Sequence, residues 1–135
     1  MRAKPLLLPM LALTAGCAAT SAEPRSEDPL GKDNDTTREL ARRTAGEPQD
    51  CVPIEPGRSL SAVERGTVLY GGGRTLWLVR LRDHCASIRR LDTLIVEPTG
   101  SQYCRGDRIR SLSPGSTIPG PICVIESFVP YTRAD

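Results

Sequence analysis

Five cysteines carry most of the chemistry this sequence could perform. Four of them, Cys51, Cys85, Cys104 and Cys123, lie beyond residue 50, and Cys17 stands apart near the start. An even set in a short chain reads as two disulfides if the compartment is oxidising. The rival chemistry is a zinc site completed by the single histidine, His84. No C-x-x-C pair is present to nucleate such a site, so disulfides are the expectation and metal is not. Four cysteines allow three pairings. The favoured one joins Cys51 to Cys123, tying the first strand to the last, and Cys85 to Cys104. On the loop-closure account these crosslinks contribute about 4 and about 3 kcal/mol.

Other groups offer little catalysis. His84 and Cys85 are adjacent, but neighbours on a helix do not face each other, and an oxidised Cys85 is no nucleophile. No G-x-S-x-G elbow is present. Asp83, Asp92, Glu97, Asp107 and Glu126 have no spacing that demands a carboxylate pair. Gly71-Gly72-Gly73 lacks the Gly-Lys-Ser ending and the following helix of a phosphate loop, and reads as a hairpin turn. Arg105-Gly106-Asp107 reads as a turn or bulge rather than an adhesion signal. Arginines stand out more. Arg108 and Arg110 alternate around Ile109 and share one strand face, as do Arg80 and Arg82. Together they form a possible contact for anionic lipid headgroups, against the plainer reading of solubility and edge protection. No catalytic residue and no cofactor is expected.

These residues need elements to hold them. From residue 50 on, short apolar runs alternate with Gly, Pro and Ser turns, the texture of a small all-β domain. Strands are expected at 67–70, 75–81, 93–97, 103–110 and 122–129. Thr75–Leu81 has apolar residues on both faces, which predicts a strand covered on both sides. Asp83 is placed to cap a short helix running to about Leu91, with Cys85, Ile88 and Leu91 on one face. The fold expected is a small curled antiparallel sheet or partly open barrel with one short helix. Only one Trp, one Phe and three Tyr supply aromatic bulk, so the core is lean and covalent crosslinks matter.

The start of the chain reads as an address. Arg2 and Lys4 precede the apolar stretch Leu6–Ala15, which is short of the roughly 20 residues a membrane span requires. Leu13-Thr14-Ala15-Gly16-Cys17 resembles the bacterial lipobox, after which the cysteine is lipidated and the chain cut before it. The expectation is a signal peptide over 1–16, the lipidated Cys17 heading a flexible tether over 17–49, and a disulfide-stapled β domain over 50–135. The alternative is an ordinary signal cut near Cys17-Ala18-Ala19. By resemblance to enterobacterial sorting, Ala18 after the cysteine implies the outer membrane, facing the periplasm. Within the tether, Thr36-x-x-Glu39 matches a capping box, and Gly46 is placed to end a short helix. Removing Arg2 and Lys4 leaves 18 − 2 = 16 basic against 16 acidic residues. A balanced mature chain has no basic excess for nucleic acid.

The order Cys51, a Thr-Val-Leu strand, Trp77-Leu78-Val79-x-Leu81-x-x-x-Cys85, Cys104-Arg105-Gly106-Asp107-x-Ile109 and Cys123-Val124-Ile125 resembles a family of small proteobacterial envelope proteins. That family is known only as a domain of unknown function. The resemblance spans residues 50–129 and implies a disulfide domain, with no activity to transfer. The function expected is a non-enzymatic envelope lipoprotein whose β domain binds or supports another envelope component. The alternative is a periplasmic inhibitor or small-ligand-binding module.

Overall fold

The computed structural model describes residues 35–135. The expected signal peptide, Cys17 and the expected tether as far as residue 34 lie outside the described residues. Chain order is α1 (Asp35–Ala41), β1 (Thr44–Ala45), β2 (Cys51–Pro53), β3 (Leu60–Glu64), β4 (Thr67–Gly72), β5 (Thr75–Leu81), a short turn Arg82–Cys85, β6 (Thr93–Glu97), β7 (Gln102–Cys104), β8 (Arg108–Leu112) and β9 (Cys123–Thr132). The main sheet runs β3-β4-β5-β9-β8-β6 and is antiparallel throughout. Its end strands β3 and β6 lie beside each other, so the sheet nearly closes into a barrel. The all-β class is as expected from the alternating texture.

The ten-residue β9 organises the sheet. Along one edge it pairs with all of β5. Along the other it meets β8 at Cys123 and Val124, then a bridge from Gln49 to Phe128, then β1 at Tyr131 and Thr132. β5 alternates as its sequence predicts. Val79 and Leu81 join the barrel interior with Val68, Tyr70, Ile109, Ile125 and Phe128. Leu76 and Leu78 face outward and are covered.

What covers them corrects the expected boundary. Residues 35–49 belong to the folded unit, not to a tether. Leu40 on α1 is buried and packs with Leu69, Leu76, Leu78 and Val129 on the outer face of the sheet. Arg43 fixes the end of this segment. Its side chain is 3 % exposed, and its guanidinium pairs with Glu39 at 2.7 Å and donates to the carbonyls of Arg74 and Tyr131. Thr36 lies inside α1 rather than at its cap, and the helix ends at Ala41 rather than at Gly46. The Glu39 carboxylate goes to Arg43 and Arg133 instead of closing a capping box.

Two further expectations need correction. The helix expected from Asp83 to Leu91 does not form. Asp83, His84 and Cys85 have φ of 55°, 53° and 29°, a left-handed turn that no right-handed helix can include. The single strand expected over 103–110 is broken into β7 and β8. The break falls at Arg105-Gly106-Asp107, where Gly106 has φ 93°. There the buried Asp107 accepts the Cys104 N–H at 2.7 Å. The tripeptide is thus a turn, as its sequence suggested.

The crosslinks are Cys51–Cys104 and Cys85–Cys123. All four cysteines are oxidised, but the favoured pairing is wrong. The reason is register. β2 pairs with β7, and Cys51 stands directly opposite Cys104, with Cα atoms 4.1 Å apart. Such close approach belongs to the non-hydrogen-bonded positions of an antiparallel ladder. The left-handed turn then delivers Cys85 to the start of β9, 5.9 Å from Cys123 between Cα atoms.

Candidate functional site

A shallow cleft of about 430 Å³ lies on the outside of the sheet, lined by Pro48, Asp50, Arg80, Arg105, Glu126 and Ser127. Each charged wall comes from a different structural device. Arg80 projects from the outer face of β5, since its neighbours Val79 and Leu81 point inward. Opposite it, the ladder slips. Arg80 pairs with Ser127 and Leu81 with Ile125, leaving Glu126 as the extra residue of a β-bulge. A bulge re-aims the side chain it carries, and here that residue lines the cleft.

Asp50 and Arg105 form the other wall. The Arg105 N–H donates to the Asp50 carbonyl at 2.6 Å, immediately beside the Cys51–Cys104 crosslink. The turn after Arg105 is held against β9 by the Gly106 N–H to the Ile125 carbonyl, 2.9 Å, and the Ile125 N–H to the Asp107 carbonyl, 3.0 Å. A disulfide and four strands therefore fix the backbone of this cleft while its side chains stay solvated.

The electrostatics are balanced but loosely paired. Arg105 reaches Asp50 at 3.5 Å, with both side chains more than half exposed. Among the described residues, neither Arg80 nor Glu126 makes an ion pair within 4.0 Å. The depression thus holds one long ion pair, Arg105 with Asp50, beside Arg80 and Glu126, which have no ion-pair partner among the described residues.

The four arginines singled out from the sequence do not form a single free patch. Arg80 and Arg82 are exposed and make no ion pair among the described residues. Arg108 bonds Glu97 at 3.1 Å across the β6–β8 ladder. Arg110 is half-buried and donates to the carbonyls of Gly120 and Pro119, pinning the loop before β9. The other sequence candidates disperse. His84 and Asp83 are exposed on the left-handed turn. Asp92 is buried and accepts the Arg89 N–H at 3.0 Å. With every sulfur beyond residue 50 in a disulfide, none remains as a thiolate for zinc or for nucleophilic attack. Among the described residues no cluster of His, Cys, Asp and Glu could hold a metal ion.

Sequence reasoning missed the cleft because two of its walls, Asp50 and Arg105, meet through the β2–β7 ladder. The third depends on a bulge with no glycine to mark it. A tyrosine pair lies under the same ladder. The Tyr70 hydroxyl accepts from the Glu55 N–H and donates to the Pro53 carbonyl, while its ring meets Tyr103 edge-on at 5.4 Å. Burial, and secondarily the neighbouring Tyr70, raises the Tyr103 phenol above its usual value.

No protein-family model, no curated protein and no solved structure matches this chain.

Proposed function

We propose that this protein is an exported, lipid-anchored envelope protein whose disulfide-locked β domain binds another envelope component without performing chemistry on it. The observation that carries this reading is the use of the cysteines. Four of the five are consumed in disulfides within the domain, which suits an oxidising compartment. The fifth, Cys17, ends the Leu13–Cys17 sequence that resembles a lipobox. Attachment through Cys17 is the proposed tie to the lipid. The outer membrane, on its periplasmic side, is the proposed location. Anionic headgroup contact falls to Arg80 and Arg82, since Arg108 and Arg110 are already engaged. The second reading, an inhibitor or small-ligand module, is favoured by the polar cleft and separates from the first by what crosslinks to the domain. A membrane or assembly protein supports the envelope role, and a soluble hydrolase supports inhibition.

Labelled-palmitate incorporation tests the anchor. The native protein is expected to take up the label, and Cys17→Ser to be neither labelled nor cut before residue 17. No label on the native protein would refute the lipid anchor.

A further inference from the structure

We propose that the cleft between β5, the β9 bulge and the β2–β7 ladder binds a zwitterion, an amino-acid or peptide end that carries an ammonium and a carboxylate together. The inference names a ligand class for the binding role above and rests on that reading. Its grounds are the composition and the separation of the walls. Arg80 and Arg105 offer planar donors suited to a carboxylate, whereas Asp50 and Glu126 offer acceptors suited to an ammonium. A purely anionic ligand would face two carboxylates, and a purely cationic one would face two guanidiniums. Only a ligand of both signs finds partners on every side.

The separation matters as much as the composition. Arg80 and Glu126 belong to adjacent strands yet make no ion pair; Ser127 stands opposite Arg80, and Glu126 is the extra residue of the bulge beside it. The one pair that does form in the cleft, Arg105 with Asp50, is long at 3.5 Å. A ligand therefore meets Arg80 and Glu126 without an ion-pair partner and a weak, solvated Arg105–Asp50 pair it can compete with. Ser127, half-buried in the cleft lining, adds one hydroxyl that can donate or accept. The walls are solvated, so each charged contact is modest, and binding in the millimolar range is expected.

The test uses the exported, unlipidated Cys17→Ser chain, so that the anchor and the cleft are judged separately. Alanyl-alanine is titrated while backbone amide resonances are followed by NMR, alongside two analogues. N-acetyl-alanyl-alanine keeps only the carboxylate, and alanyl-alanine amide keeps only the ammonium. The expected result is saturable movement of resonances at Arg105–Gly106 and Glu126–Ser127 with the dipeptide. Each analogue should bind about two- to fivefold more weakly, the loss of one solvated charge pair. Arg80→Gln and Glu126→Gln should each weaken the dipeptide by a similar factor while leaving the rest of the spectrum dispersed. Absence of saturable shifts, shifts confined to another face, or equal binding of the three probes would overturn the proposal. So would variants that bind like the parent. Dipeptide binding by a protein whose native form proves unlipidated would retain the cleft and remove the anchor.

Discussion

Glu39 receives guanidinium hydrogen bonds from Arg133 and Arg43, which hold its carboxyl below the usual carboxylate range. A lowered folded-state pKa means the unfolded chain takes up protons first as pH falls. The stability Glu39 supplies is therefore complete above its ordinary unfolded value. It is lost as pH falls through the lower folded value. Glu39→Gln should be less stable than the parent at neutral pH, and the difference should vanish in strong acid. Urea unfolding at several pH values checks this, and a gap that widens on acidification would contradict it. Gly66 offers a second test at this scale. Its φ is +69°, and a Cβ there would collide with the His84 carbonyl. Its N–H also bonds the Ile88 carbonyl at 2.9 Å. Gly66→Ala meets both the left-handed penalty and the collision, so a loss of about 2 kcal/mol or more is expected in denaturant unfolding. Arg105-Gly106-Asp107 shows what was legible here. Its turn character could be read from residue types, but the strand break it causes depends on Asp107 capturing the Cys104 N–H.

The elements follow the same division between local and non-local information. β4, β5 and their hairpin were legible, because alternating apolar residues and Gly73 at φ 67° are local signals. The membership of residues 35–49 was not. A lone Leu40 in a polar stretch lacks a periodic pattern, yet one leucine suffices to cap the outer aliphatic cluster of β4, β5 and β9. Leu40→Ala should cost about 2–3 kcal/mol in equilibrium unfolding, the range for a buried leucine at a small cluster. A cost near zero would return this segment to a tether. The cysteine pairing was illegible for a related reason. Spacing along the chain does not say that β2 lies against β7, and only that register sets Cys51 opposite Cys104. Likewise three successive non-glycine residues at positive φ have no sequence signature that would have redirected Cys85. Peptide mapping without reduction should recover Cys51–Cys104 and Cys85–Cys123. The two loops differ little in length, with separations of 53 and 38 residues, and each crosslink contributes about 4 kcal/mol on the loop-closure account. Their loops interleave along the chain, so the contributions do not simply add. Replacing Cys85 and Cys123 with Ser should nevertheless be the more damaging. Cys123 is 2 % exposed in the barrel core, where a hydroxyl needs a partner, whereas Cys51 and Cys104 are half-buried.

The whole molecule combines a lean barrel, two crosslinks and a charge-balanced surface. Its aromatic content is 4 %, and what aromatic bulk exists is concentrated where strands meet, with Phe128 and Tyr70 buried and Trp77 partly so. Covalent closure compensates for a core this small only where thiols are oxidised, which suits the proposed exported location. The proposed lipid anchor on Cys17 would extend that link from the domain to the membrane. The most direct test is the intact mass of the mature protein isolated from envelopes, taken with and without a thiol-alkylating reagent. The account predicts a chain beginning at Cys17, carrying lipid on that residue, with no thiol open to alkylation. An unlipidated chain that begins elsewhere, or free thiols among Cys51, Cys85, Cys104 and Cys123, would contradict it.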